Sequence, residues 1–560
     1  VEAHENFIHA LCVYIQVPKT YTCAISNRYI GIAIMLRRPT RSSWQFASFL
    51  IVIALFLTGS LPTSAQSSTI RIHRVETEFP PIILGHNQPP LRTDLQQLMT
   101  MYKVPAISIA VIDNFKIEWT KAYGFADAGG KNAVTTTTLF QAGSISKPVT
   151  STAALYLVER GKLSLDEDVN RKLVSWKVPE NEFTKEQKVT LRRLLNHSSG
   201  ADIEGGFNGY DIDDPLPTLK QTLNGQKPAN HEAIRIDFVP GSRWQYSGGG
   251  YLILQQLMSD VTGKPLPQLM REVVFDKIGM ADSTFEQPLP SARAAMAASG
   301  TFPDGTTVHG KWHVYPEMAA AGLWTTPTDL AKFVIEIALS KQGKSNRILS
   351  QSVARQMLTP QIDMGAIPWN MGLGFFLNKE DQHLFGHNGS TWAYRAIVLI
   401  STDTGKGVAI MTNSDNGFYL SDLLIESVAK EYTWKTDWLG QNPASLLFFI
   451  TMARGADAGI RKYRDLKESK STAVQFLDES TLPHLGHDLL ENGKTQEAIS
   501  IFKANLQEYP KSASAYDGIG EAYSRSGRKD LAIESYENAL KLDPHDQNAT
   551  ESLRNLKRNP

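Results

Sequence analysis

The chain has 560 residues, enough for several domains or for one large domain with accessories. Its 57 basic and 57 acidic side chains cancel, 42% of residues are hydrophobic and no long basic run appears, so composition points to a soluble protein and gives no support to a nucleic-acid partner.

From Met35 the chain reads as a bacterial-style export signal: Arg37, Arg38 and Arg41, then the apolar run Phe46 to Leu57, then small residues with Thr63-Ser64-Ala65 as cleavage site. The apolar run is only about a dozen residues, against roughly 20 for a membrane span. Cleavage near Ala65 and an extracytoplasmic (periplasmic or secreted) location are therefore expected, with retention as an anchor as the alternative. The arginine pair lacks the rest of a twin-arginine signal. Residues 1–34 precede the signal and read as an over-extended start, with Met35 as initiator. Both cysteines, Cys12 and Cys23, lie there, so the mature protein is expected to have no thiol chemistry.

Residues 66–90 read as a spacer with two proline pairs, Pro80-Pro81 and Pro89-Pro90. A helical pattern covers Leu91–Tyr102. Ala106–Ile112 and Lys116–Tyr123 alternate as a β-hairpin turning at Asp113-Asn114, and Tyr394–Ser401 with Gly407–Asn413 forms a second about Asp403-Thr404-Gly405. Between the hairpins the patterns are mainly helical. One helix follows Ser144 and stops at Gly161; another opens at Thr326, with Pro327 in its first turn and Asp329 completing a capping box. Strands at both ends with helices between imply one α+β domain over 91–430, an antiparallel sheet closed by distant segments and flanked by helices.

The C-terminal part differs. Gly486, Leu489, Gly493, Ala498, Phe502 and Pro510 recur 34 residues later as Gly520, Tyr523, Gly527, Ala532, Tyr536 and Pro544, which is the tetratricopeptide period. Residues 481–557 are therefore expected to be an all-α repeat segment, offering a surface for a protein partner. Residues 431–480 are expected as a helical connector in which Trp434–Met452 is one helix. Two repeats are fewer than such arrays need alone, so 456–480 adds a packing helix or the repeats dock on the preceding domain.

Ser144-Ile145-Ser146-Lys147 places a hydroxyl and an amine one helical turn apart, on one face. A serine hydroxyl needs an adjacent base to attack a carbonyl near neutral pH. Ser427 with Lys430, Ser500 with Lys503 and Ser526 with Lys529 share the spacing; all three pairs read as solvated helix surface. Tyr246-Ser247-Gly248 lies 102 residues beyond Ser144, and His387-Asn388-Gly389-Ser390 a further 141. This ordered set, with Leu191–Gly200 and Ala320–Thr326 beside it, resembles the serine β-lactamase and penicillin-binding protein superfamily, especially its class C β-lactamase, esterase and D-aminopeptidase branch. That family carries Ser-x-x-Lys, Tyr-x-Asn and Lys/His-x-Gly in this order.

The resemblance implies a β-lactamase/transpeptidase-like fold and a set of roles. Ser144 is the nucleophile that forms an acyl-enzyme, Lys147 the base once its pKa is lowered, and Tyr246 the second acid/base group. Gly389 lets backbone approach the substrate, and the N–H groups of Ser144 and Ser390 form the oxyanion hole. His387 stands where many relatives carry lysine, which favours neutral esters, amides or lactams, or makes carboxylate recognition pH-dependent. Gly248 replaces the asparagine of Tyr-x-Asn and with it an amide that contacts the substrate, so ester or peptide turnover is expected to exceed β-lactam turnover. His197 reads as a loop-shaping residue and Arg395 as a surface residue. Trp324 and Trp392 fit pocket or core equally. No Gly-x-Ser-x-Gly elbow occurs, no phosphate-binding loop, and no metal or cofactor is inferred. The alternative to a hydrolase is a non-catalytic or weakly catalytic binding or scaffold protein working through its repeats.

Overall fold

The computed structural model describes residues 64–83, 89–127, 129–203, 206–365, 367–434, 443–469 and 477–558. Met35, the apolar run and both cysteines lie outside the described residues. Val1–Gln66 and Ser67–Pro560 are separate units; of the first, only the backbone of 64–66 is described, at the start of helix α1 (Ser64–Thr77).

Residues 66–90, read from sequence as a spacer, open with this packed helix, and the proline pairs come only after it ends. Arg74 Nε donates to Glu431 at 2.7 Å and the Tyr123 hydroxyl donates to Glu76 at 2.8 Å. Val75, Phe79 and Ile82 are buried. Helix α2 (Leu95–Met101) starts later than the pattern suggests because Asp94 caps it, accepting from Gln97 N at 2.8 Å. Strands β1 (Ala106–Asp113) and β2 (Lys116–Gly124) turn at Asn114-Phe115, both with positive φ.

The short strand β3 (Phe140–Gln141) leads through the tight turn Gly143–Ile145 into α3 (Ser146–Glu159). Next come α4 (Leu191–Leu195), α5 (Gly248–Thr262), α6 (Met318–Ala321), β4 (Trp324–Thr325) and α7 (Pro327–Gln342). At α7 half of the expected capping box forms. Thr326 accepts from Asp329 N at 3.2 Å, while the Asp329 carboxylate accepts from Asp282 N and Ser283 Oγ, both at 2.9 Å.

Three short strands follow, β5 (Ile362–Asp363), β6 (Trp369–Met371) and β7 (Phe376–Asn378), then β8 (Leu384–Thr391), β9 (Tyr394–Ser401) and β10 (Gly407–Thr412). The antiparallel sheet runs β2-β1-β10-β9-β8-β7-β6-β5, with Val111 opposite Val408 where its distant ends join. Successive side chains of a strand point to opposite faces, and β1 is buried on both. Ala106, Ala110 and Ile112 pack in a core with α3, α5 and α7. Ile107, Ile109 and Val111 pack in another that continues through α8 (Gly417–Glu431) and α9 (Pro443–Arg454) into the C-terminal helices.

Those helices are α10 (Ala456–Glu468), α11 (Thr481–Glu491), α12 (Thr495–Glu508), α13 (Ala513–Arg525), α14 (Lys529–Leu542) and α15 (Gln547–Arg558). The repeated glycines have a steric reason: a Cβ on Gly486 would sit 2.5 Å from the Phe502 ring, and one on Gly520 2.8 Å from the Tyr536 ring. Both expected remedies for a short array are present. Helix α10 packs on α12, and the repeats dock on the sheet domain. At the junction, buried Asn416 donates to Tyr102 O and to Asn492 Oδ1, each at 2.8 Å. Among the described residues no helix is long and apolar enough to cross a membrane.

One of the three other Ser-x-x-Lys pairs departs from the surface reading. Ser427 is buried and donates to Val75 O at 2.9 Å, because α1 covers α8 there. Ser500 and Ser526 bond to carbonyls of their own helices.

Replacing Asn416 with alanine strands the buried amide groups of Asn492 and Tyr102 and is expected to cost about 1–3 kcal/mol. Urea unfolding of full-length wild type and Asn416→Ala measures it; an unchanged midpoint would show that this junction carries no stability.

Candidate active site

Ser144 sits half-buried in the turn that enters α3. Strand β8 crosses this turn backbone against backbone, and two glycines permit the approach. A Cβ on Gly389 would lie 1.9 Å from Ala142 O and 2.9 Å from Ser144 N; one on Gly143, whose φ is 50°, would lie 2.6 Å from Ser390 N. The amide nitrogens of Ser144 and Ser390 are thereby brought onto facing backbones. Ser146 secures the turn from the other side, donating to Gly143 O at 2.6 Å and accepting from Leu323 N at 3.0 Å.

Lys147 is 2% exposed. Its Nζ lies 3.0 Å from Ser144 Oγ and donates to Ala320 O at 3.0 Å. Among the described residues no carboxylate pairs with it, and burial alone pushes its amine down to about 7. Near neutral pH a large share of Lys147 is therefore the free amine. Glu317, just before α6, is fully buried with neither carboxylate oxygen hydrogen-bonded, and burial pushes it up to about 7.

The Tyr246 phenol interacts with Ser144, and burial raises it well above the usual tyrosine value. Lys147 Nζ lies 4.8 Å from the Tyr246 ring centroid and 5.7 Å from that of Tyr251. The Tyr251 hydroxyl is itself 2.9 Å from Ser151 Oγ. Directly after Tyr246, Ser247 caps α5, accepting from Gly250 N at 2.8 Å. His197 belongs to the same cluster: its ring centroid is 4.4 Å from that of Tyr246, and its Nδ1 accepts from Ser247 N at 3.0 Å. Sequence singled out neither His197 nor Tyr251 as a site residue.

His387 is 2% exposed, its ring stacked on Phe376 with centroids 4.4 Å apart. Nδ1 bonds to Asn388 O, which leaves Nε2 as a buried lone pair without a partner. Burial, with Lys147 adding to it, pushes the imidazole down to about 3, so His387 is neutral throughout the ordinary pH range. A neutral imidazole fits the neutral-substrate reading better than pH-dependent carboxylate recognition. Gly248 is boxed in: a Cβ there would lie 2.7 Å from Phe207 Cε2 and 3.4 Å from Ile203 O, so an aromatic ring occupies the space of a longer side chain.

Arg395 is neither a surface residue nor a substrate ligand. It pairs with Asp415 at 2.8 Å and donates to Thr391 O at 2.8 Å, stabilising the β8–β9 connection. Trp324 is core, edge-on to Trp312 and Tyr394. Trp392 is 44% exposed and packs edge-on against Phe302. A separate cleft of about 610 Å³ touches Trp244, His387 and Asn388 but is not lined by Ser144, Lys147 or Tyr246. Among the described residues no cluster of His, Cys, Asp and Glu is placed to hold a metal ion.

A beta-lactamase family model matches residues 91–426, more than half of the chain. The chain belongs to the beta-lactamase family. A tetratricopeptide repeat model also matches residues 513–546. The protein is 24% identical over 347 residues to the protein named flp of Staphylococcus aureus strain MW2, covering 60% of this chain and 65% of that one. It thus spans just under two thirds of that curated relative. Penicillin-binding protein 4 of Amycolatopsis lactamdurans is 27% identical over 331 residues, 56% of this chain and 82% of the relative. Two solved structures are similar. An octameric penicillin-binding protein homologue from Pyrococcus abyssi shows 25% identity and a TM-score of 0.49, over 60% of this chain and 76% of that one. A penicillin-binding protein from Bacillus halodurans shows 21% identity and a TM-score of 0.48, over 60% and 100%. The family is one of serine hydrolases, and the fold is its antiparallel sheet with flanking helices, followed by repeats.

Because Gly389 lies against Ala142 O, Gly389→Ala is expected to displace β8 from the Ser144 turn and slow fluorophosphonate labelling of Ser144 on the order of 100-fold, as loss of one oxyanion donor does. Labelling at the wild-type rate would show that β8 contributes no such donor.

Proposed function

We propose that this protein is an exported serine hydrolase that forms an acyl-enzyme on Ser144 and cleaves neutral ester, amide or peptide bonds. The observation that carries the reading is the Lys147 amine, buried with no carboxylate partner among the described residues and 3.0 Å from the Ser144 hydroxyl. Neutral Lys147 takes the Ser144 proton as Oγ bonds to the acyl carbon, and the carbonyl oxygen becomes an anion between the Ser144 and Ser390 N–H groups. The anion collapses, the bond to the leaving group breaks, and the proton passes from Lys147 through the Tyr246 phenol to that group. Water then attacks the acyl carbon and gives a proton to the same relay; the acyl–Oγ bond breaks, the relay returns the proton to Ser144 Oγ, and the acid leaves.

Substrate preference follows from two neutral features. His387 contributes a lone pair rather than a positive charge, so it offers hydrogen bonding to a substrate N–H or water but no counter-ion for a carboxylate. Phe207 beside Gly248 supplies apolar contact where relatives supply an amide. Both favour uncharged esters and amides over β-lactams, with D-amino-acid peptides included among the amides. The repeats add a possible protein-binding surface, and export follows from the sequence signal alone.

Intact mass after exposure to a fluorophosphonate and a fluorescent penicillin tests the core of this reading. An adduct on wild type and none on Ser144→Ala is expected; no adduct from either probe, or adducts that persist in the variant, would sink it. The kcat/KM for a nitrophenyl ester is expected to rise with pH through about 7 as Lys147 loses its proton. It should then stay level to about pH 9, because Tyr246 is shifted upward. A profile already flat from pH 5 would mean that Lys147 is not the base. Ester turnover is expected to exceed nitrocefin turnover. Gly248→Asn alone should overpack against Phe207 and lose about 1–3 kcal/mol of stability, whereas Gly248→Asn with Phe207→Ala should recover stability and gain nitrocefin hydrolysis. No gain in the double variant would remove Phe207 and Gly248 from the account of specificity.

A further inference from the structure

His197 lies in the loop after α4, 50 residues before Ser247 in sequence, yet touches the chain on both sides of Tyr246. Its carbonyl accepts from Gln245 N at 2.9 Å and its Nδ1 accepts from Ser247 N at 3.0 Å. Its ring lies 4.4 Å from the Tyr246 ring at 31°, and 5.3 Å from that of Tyr251. The residue is 1% exposed and holds φ at 60°, a left-handed conformation that non-glycine residues seldom adopt. Two backbone bonds bracketing one side chain, plus a ring contact with that side chain, make a more specific arrangement than packing requires.

We infer that His197 is a positioning residue for Tyr246, clamping residues 245 and 247 and bracing the phenol so that its oxygen meets Ser144. The inference rests on Tyr246 carrying protons, as proposed above. The clamp works only with a neutral imidazole. Nδ1 must keep its lone pair for the Ser247 N–H, so the proton sits on Nε2, which is buried and makes no hydrogen bond. Protonation would put a hydrogen on Nδ1 facing that N–H and break the clamp. The surroundings oppose it: burial, then the nearby Lys147 on α3 and His387 on β8, hold the imidazole well below its usual range. Of the aromatic neighbours, Tyr251 is buried and Tyr246 half-buried, and burial raises both phenols. The clamp therefore keeps one geometry across the pH range in which Lys147 titrates.

Three variants separate clamping from filling. His197→Asn offers a carbonyl oxygen near the Nδ1 position and tolerates the left-handed backbone. His197→Phe keeps a ring but no acceptor, and His197→Leu keeps only bulk. The expected result is a split: Asn retains ester kcat within about fivefold, while Phe and Leu lose on the order of 10–100-fold in kcat with KM little changed, the loss expected from a misplaced catalytic group. Equal losses in all three variants, or losses that track only the fall in melting temperature, would overturn the inference. A readout independent of turnover is the 13C-tyrosine NMR signal of Tyr246, assigned with Tyr246→Phe. It should be sharp in wild type and His197→Asn and shifted or broadened in His197→Phe. An unshifted signal in His197→Phe refutes the clamp even if the hydrolase reading stands; a shifted signal with no labelling of wild-type Ser144 upholds the clamp and removes the hydrolase.

Discussion

The arrangement depends on one amine taken out of water without a counter-charge. A buried ammonium is costly unless paired, and the protein leaves Lys147 with a carbonyl and a hydroxyl rather than a carboxylate. A carboxylate at that spot would stabilise the ammonium and remove the free amine that the proposed mechanism uses. The two imidazoles closest in electrostatic terms, His197 and His387, are pushed toward neutrality by the same burial and by Lys147 itself. Three nitrogen bases thus interact electrostatically in one buried region, and they are compatible because burial favours the neutral form of each. Protonating any one raises the cost of protonating the others, so the cluster resists acid more as a group than each member would alone.

The geometry around that amine is built by close backbone contact rather than by a rigid side-chain cage. Gly143 and Gly389 allow β8 to lie on the Ser144 turn, and Gly248 makes room for Phe207. The sheet supplies the rigidity. Strand β8 is held by β9 along its length, and Arg395 with Asp415 fixes the connection between them. On the far face, α8, α9 and the repeats share one continuous core with β1 and β10, so the helical tail belongs to the scaffold of the sheet as much as to any outside partner.

Sequence made the chemistry-bearing positions legible where residue type and order carry the signal. Ser144, Lys147, Tyr246 and His387 come together as their motifs suggest, and the 34-residue repeat marked the tail. Sequence failed where a role depends on backbone partners or distant cover. His197 looks like any loop histidine until its bonds to 245 and 247 are seen. Ser427 looked solvent-facing because α1 lies in a stretch whose prolines suggested a spacer. Arg395 is explained by Asp415, a partner that no periodicity reveals. Strands β5 to β7 are two or three residues long, too short to alternate visibly, and Phe207 entered the account only through the space that Gly248 leaves.

The join between β1 and β10 has a consequence for when the hydroxyl–amine pair becomes reactive. Residue 107 meets residue 412, a non-local pairing whose loop-closure cost falls due before its contacts are gained, unlike that of the local helices. Until β8 and α6 arrive, Lys147 is in water, where an ammonium with a pKa of about 10.4 stays protonated and Ser144 has no base. The local helical spacing therefore exists in an incompletely folded chain without its reactivity. In the mechanism proposed above, it is completion of the fold that gives Ser144 its base, so a nascent or partly unfolded molecule would carry the motif without the reactivity.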